Sequence, residues 1–209
     1  GIRDYKVTGV QTCALPIYGM PEHNSREAIE AHIPDGHRDF VQGIIDKYEV
    51  PEPSGPGMRT RFIRSKEIEE EQLEAVMASD VDLFACGIGA PRPAVDRAKE
   101  LGKVTAALIG SPHHVRRALA SGVDIIVAQG AEAGAHTGTI GTFTLVPQIV
   151  DACGDIPVLA AGGVATGRHV AAALALGAAG VWAGTIWLTT TEHTDHMAPA
   201  LVDKLLAAS

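Results

Sequence analysis

The chain has no apolar run approaching the ~18 to 20 residues that span a bilayer, and no basic segment followed by an apolar stretch near its start. Neither a membrane span nor a secretory leader is expected, and a cytoplasmic protein is. A basic stripe is also lacking: 17 Lys and Arg stand against 25 Asp and Glu, a net charge of −8. Nucleic acid or an anionic membrane surface finds little to hold on such a chain, which leaves small solutes as the expected partners. Cysteine is scarce as well. Of the three cysteines, Cys13 falls in an N-terminal segment excluded from the fold, and Cys86 and Cys153 show neither disulfide-framework nor metal-ligand spacing, as a reducing compartment permits.

What remains is 209 residues, 46% hydrophobic, enough for one sizeable core without a second domain. The first 17 residues stand apart. Gly1 to Asp4 and Val7 to Ile17 read as the translation of a short-read sequencing adapter, with Tyr5-Lys6 in the index position. They are expected to be an assembly artefact and are excluded from the fold, leaving 18–209 as a partial domain. Without them the charge is −9, from 15 basic and 24 acidic residues.

From Asp80 onward, short β-branched runs alternate with Ala-rich helical ones, the mark of βαβ units on a parallel sheet. Strands are expected at Leu83–Gly87, Val104–Ile109, Asp124–Ala128, Val158–Ala161 and Gly180–Ala183, and helices at Pro93–Leu101, Pro112–Ala120, Thr144–Cys153 and Gly167–Leu176. Gly102, Gly122 and Gly177 supply helix stops, and Ser111 before Pro112 fits a cap followed by a first-turn proline. Ala118 to Gly130 and Ala173 to Thr185 echo each other 55 residues apart, about two units of an eight-unit barrel of roughly 250 residues. The expected fold is therefore α/β, a (β/α)8 TIM barrel that is incomplete, with early strands and the extreme C-terminus missing. Upstream, Pro51 to Gly57 is loop-like, Ala28–His32 suits a short helical turn, and Ser65–Met77 suits a helix with an acidic, solvated face.

Three strand ends carry the candidate chemistry. Gln129 to Gly138 is a flexible loop with one histidine, His136, whose imidazole suits proton transfer near neutral pH; a histidine bonded to a loop carbonyl is the alternative. Glu132 is either its partner or a helix-cap acid. Gly162-Gly163 and Gly184-Thr185 end the next two strands with unshielded amides that suit a phosphate. Elsewhere, adjacent His113 and His114 point apart, and His193, Asp195 and His196 form a weak metal pattern. His169 lies in a first helical turn, either near a phosphate or in solvent. Cys86 reads as packing. No metal site is expected.

At these residues the chain resembles the nitronate monooxygenase family, also called the 2-nitropropane dioxygenases. The likeness rests on Gln129-Gly-Ala-Glu-Ala-Gly-Ala-His136-Thr-Gly, Leu145-Val-Pro-Gln148, Ile156-Pro-Val-Leu-Ala-Ala-Gly-Gly163 and Gly180-Val-Trp-Ala-Gly-Thr185. It implies an FMN-dependent barrel enzyme that oxidises nitronates or nitroalkanes with O2 to a carbonyl compound and nitrite. His136 then corresponds to the catalytic base, Gln129 and Gly134 to groups beside the flavin, and Gly162, Gly163, Gly184 and Thr185 to the phosphate cradle. Trp182 and Ala183 fall in the FMN-contacting stretch. Ala135 departs from the family's second glycine, and the family's opening Met-Gly-Gly loop has no counterpart.

Two alternatives stand beside this one. FMN-dependent enoyl-acyl-carrier-protein reductases of the second type share the histidine loop and the Ala-Gly-Gly end. Because a barrel without its early strands exposes unpaired edges, the chain is also expected to be poorly soluble or inactive, which admits a non-catalytic flavin-binding or structural fragment.

Overall fold

Thr105 to Ile109 are all buried, a run that a strand sustains only when protein covers both its faces. In the computed structural model, which describes residues 30–31, 33–52, 66–87, 89–134, 136–194 and 197–208, this run lies inside a five-stranded parallel sheet. The strands are β1 (Leu83–Cys86), β2 (Val104–Ile109), β3 (Ile125–Gln129), β4 (Val158–Ala161) and β5 (Gly180–Trp182). They lie side by side in chain order, each pair parallel. An order without reversal distinguishes a barrel wall from a doubly wound sheet, whose strand order turns back on itself. The architecture is an incomplete α/β barrel.

The helices that follow the strands are α3 (Arg92–Glu100), α4 (Val115–Ala120), α5 (Thr142–Cys153) and α6 (Gly167–Ala175). The period-2 alternation of the strands divides their side chains between two faces. Ala107, Ile109, Ile126, Ala128, Val158 and Ala160 join Val95, Ala118, Leu145, Ile149 and Ala173 from the helices in the main core. Ala106, Leu108, Val127 and Ala161 form a smaller cluster with Leu159 and Trp182. Gly102, Gly122 and Gly177 end their helices at φ of +75°, +80° and +93°, a region closed to most side chains.

Element edges differ slightly from expectation. Helix α4 is preceded by a 3-10 turn, Pro112–His114, because proline there lacks an N–H while Ser111 Oγ accepts from the His113 amide at 3.3 Å. Helix α5 begins two residues early, at Thr142, and β3 runs on to include Gln129.

The N-terminal end of the sheet is tied by polar contacts. Asp124 accepts from the Thr105 amide at 2.9 Å, the Thr105 hydroxyl at 2.7 Å and Lys99 Nζ at 2.7 Å. Desolvation pushes its carboxyl up, but the bonds from Lys99 and Thr105 outweigh that and leave it below the ordinary aspartate value. Lys103, buried, donates to the carbonyls of Ser79 at 2.7 Å and Val81 at 2.9 Å.

Residues Pro16–Glu74 make a separate compact unit. Its helix α1 (Asp35–Tyr48) was not expected from the sequence; it ends on Glu49 in a left-handed conformation at φ +48°. Arg38 donates to the Glu30 carbonyl. Helix α2 (Lys66–Ala78) follows the expectation closely, with Glu70, Glu71 and Glu74 exposed. Residues 1–17, His23, His32, the segment 53–57, Ala135, Asp195 and His196 lie outside the described residues. After β5 come a 3-10 turn, Thr185–Trp187, and helices α7 (Thr191–Thr194) and α8 (Pro199–Ala207). Among the described residues no helix is long and apolar enough to cross a membrane, and no group of three or more His, Cys, Asp and Glu could hold a metal ion.

Candidate active site

In a parallel sheet every strand delivers its C-terminal end to one side, so the loops after β3, β4 and β5 share an edge. At about 4.8 Å per strand, the outer two of these three ends stand about 10 Å apart. Gln129, Gly134 and His136 follow or end β3, Gly162 and Gly163 follow β4, and Trp182, Ala183, Gly184 and Thr185 end or follow β5. The topology therefore gathers these nine residues at one edge.

The loop after β3 is closed on itself. The Ala131 amide donates to the Ile140 carbonyl at 2.9 Å, and the Ala133 amide to that of Gly130 at 3.0 Å. Glu132 Oε2 accepts from the Thr142 amide at 2.8 Å and faces its hydroxyl at 2.9 Å. Glu132 is thus the acid at the α5 N-terminus, where a negative charge is favoured; the Thr142 amide is the main cause holding its carboxyl below the ordinary glutamate value. Gln129 Nε2 donates to the Gly134 carbonyl at 3.4 Å. His136 lies within this closed loop, exposed and without a hydrogen bond among the described residues.

Glycine is required at the neighbouring turn. Gly162 has φ +104°, and a Cβ there would sit 2.7 Å from Thr142 Oγ1 and 3.0 Å from the Ala133 nitrogen. Gly163, at φ +71°, is exposed. The Thr142 hydroxyl also reaches the carbonyls of Gly162 at 2.9 Å and Ala161 at 3.2 Å. Among the described residues the amides of Gly163, Gly184 and Thr185 meet no acceptor. By contrast the Ala165 and Thr166 amides both donate to His169 Nδ1 at 3.1 Å, completing a capping box on α6. His169 is therefore a helix cap. The half-buried Trp182 packs on the smaller core cluster, and the Ala183 carbonyl accepts from Trp187 Nε1 at 2.8 Å.

Cys86, at the end of β1, is buried among packing residues, and burial pushes its thiol up to about 11. It is inert packing, as its position in an apolar strand suggests.

The sequence profile of nitronate monooxygenases matches residues 56–207. The chain belongs to the nitronate monooxygenase family. Rv1533 of Mycobacterium tuberculosis, a monooxygenase by name, is 44% identical over 214 residues, covering 98% of this chain and 56% of that protein. The chain thus spans little more than half the length of that relative. The chain is also similar to solved structures, among them a nitroalkane oxidase and FabK. The nitroalkane oxidase of Streptomyces ansochromogenes matches with a TM-score of 0.62 and 28% identity over 79% of this chain and 51% of its own. FabK of Thermotoga maritima matches with a TM-score of 0.61 and 33% identity over 67% of this chain and 44% of its own.

Within this family member, sequence reasoning missed Thr142 and Gly110. Thr142 sits where the helical pattern starts, and its Gly141-Thr142 junction was the available signal. Gly110, directly after β2, abuts Gly138 of the histidine loop, a contact between distant segments that no local pattern announces.

Proposed function

We propose that the protein oxidises alkyl nitronates or nitroalkanes with O2 to a carbonyl compound and nitrite, with FMN as cofactor. The observation that carries this reading is the convergence of one exposed imidazole and two acceptor-free glycine turns on three adjacent strand ends. The chain's residues fit the cofactor: the amides of Gly163, Gly184 and Thr185 are open to an anion, and the positive-φ turn at Gly162-Gly163 leaves no Cβ to shield them. Gln129, Gly134, Trp182 and Ala183 would flank the ring system. When bound, FMN would supply the redox chemistry of the reaction.

The chain's own part is position and proton control. His136 takes the α-proton of a neutral nitroalkane at an imidazole nitrogen, giving the nitronate anion. A substrate that arrives already as the anion needs no base, only orientation. The amides of Gly163, Gly184 and Thr185 would hold the phosphate of the cofactor at the strand-end edge that His136 shares.

The test is oxygen uptake with nitrite release when the protein with the early barrel strands restored meets an alkyl nitronate; no nitrite from that form with any nitronate would refute the reading. FabK is as similar in structure as the nitroalkane oxidase and higher in identity, 33% against 28%. That observation favours keeping a second reading, reduction of an enoyl thioester, which would oxidise a nicotinamide without nitrite. We also propose 18–209 as the partial FMN-binding domain.

A further inference from the structure

Loop glycines leave His136 little internal rigidity, yet the loop is held at several points, and at one of them the Glu132 carboxylate ties it to Thr142. Its Oε2 takes the Thr142 amide at 2.8 Å and lies 2.9 Å from the Thr142 hydroxyl. Gly141 makes room for the same carboxylate: a Cβ there would lie 3.0 Å from Glu132 Oε1. Gly163 lies beside its stem, since a Cβ at Gly163 would be in ordinary contact with Glu132 Cβ, at 3.4 Å. The Thr142 hydroxyl continues the chain of contacts to the Gly162 carbonyl at 2.9 Å.

We infer that Glu132 is a positioning residue: its carboxylate clamps the ends of the 131–142 loop and joins that loop, through Thr142, to the Gly162-Gly163 turn. His136 and the anion-facing amides are thereby held at one spacing. The role is indirect, because Glu132 bonds Thr142 and not His136, and it rests on the proposed function for its effect on turnover. The carboxylate is ionised in this setting, since the Thr142 amide lowers its pKa. An ionised acceptor at a helix N-terminus holds its partner more firmly than a neutral one.

The experiment uses the purified protein supplied with FMN and compares Glu132→Ala, Glu132→Gln and Thr142→Val. Hydrogen–deuterium exchange over 131–142 reads the clamp without reference to activity. Glu132→Ala is expected to speed exchange in that segment and to lower kcat on a nitroalkane by about 100-fold, the scale of a displaced catalytic group, with FMN content and KM little changed. Glu132→Gln keeps an acceptor oxygen and is expected to restore both to within a few-fold. Wild-type exchange or wild-type kcat in Glu132→Ala, or a Gln variant no better than Ala, overturns the proposal. Should Glu132→Ala fail to fold, Thr142→Val decides, because it keeps the backbone amide bond to Glu132 and removes the hydroxyl with its contacts to Glu132, Ala161 and Gly162; unchanged exchange and kcat there also overturn it. If the unaltered protein shows no turnover at all, the functional reading fails, while the exchange data still decide the clamp.

Discussion

Gly110 and Gly138 pass each other in backbone contact: a Cβ on Gly110 would stand 2.7 Å from the Gly138 nitrogen and 3.1 Å from its Cα. The end of β2 thus forms a wall against which the histidine loop lies, and neither position has room for a methyl group. Gly138→Ala is expected to move the loop as a whole. Such overpacking costs about 1–3 kcal/mol of stability, and displacing the proposed base His136 is expected to lower turnover by about 100-fold. Urea unfolding and steady-state rates on the same preparation check both.

His136→Asn removes the proposed proton acceptor and keeps the size of the side chain. Turnover of neutral nitroalkane is expected to fall by about 10²–10⁴-fold, with yellow, FMN-bound protein retained. Turnover of the preformed nitronate should survive, because that substrate has already lost its proton. Equal losses on both substrates would assign His136 to binding and remove the base.

The parallel sheet was legible because strands buried on both faces leave continuous apolar runs, as at Ala106–Ile109, and because Gly102, Gly122 and Gly177 punctuate the helices. Strands β2 and β4 fall where the sequence puts them. Helix α1 was not legible: Gly36, Gly43 and its charged residues mask a helical spacing of Phe40, Val41, Ile44, Ile45 and Tyr48. At the candidate site, the sequence named the groups facing the strand-end edge but not what holds them. Glu132 and Thr142 meet across ten residues of chain, and Gly110 meets Gly138 across two elements, so neither pairing leaves a local signature. The spacing left Glu132 open between two roles, and the fold assigns it to the α5 N-terminus.

Asp124 makes the fold sensitive to acid. Its carboxyl lies below the ordinary value of 3.8 in the folded chain, so the unfolded chain binds the proton more readily. The stabilisation is fully present above about 3.8 and is lost as pH falls through the folded value. Asp124→Asn should lower stability at neutral pH and flatten the dependence below pH ~4. Denaturant midpoints measured across that range test the sign.

Ile126 is fully buried in the central strand β3. Ile126→Ala is expected to destabilise the sheet by about 2–5 kcal/mol through lost burial and a residual cavity, read as a lower urea midpoint. In the same sheet, Cys86 should resist thiol reagents at neutral pH, because its thiol is pushed up to about 11, and should react only on unfolding. Mass-spectrometric mapping of labelled cysteines with and without urea follows this.

The central claim is that the glycine turns after β4 and β5 hold a flavin by its phosphate. Spectral titration with FMN and with riboflavin, which differs only in lacking that phosphate, tests it most directly. FMN is predicted to bind with a shifted absorption spectrum and to be preferred by more than about tenfold, the equivalent of a single charge-assisted hydrogen bond at about 1.5–3 kcal/mol. Equal binding of the two flavins, or no uptake of FMN, would contradict it.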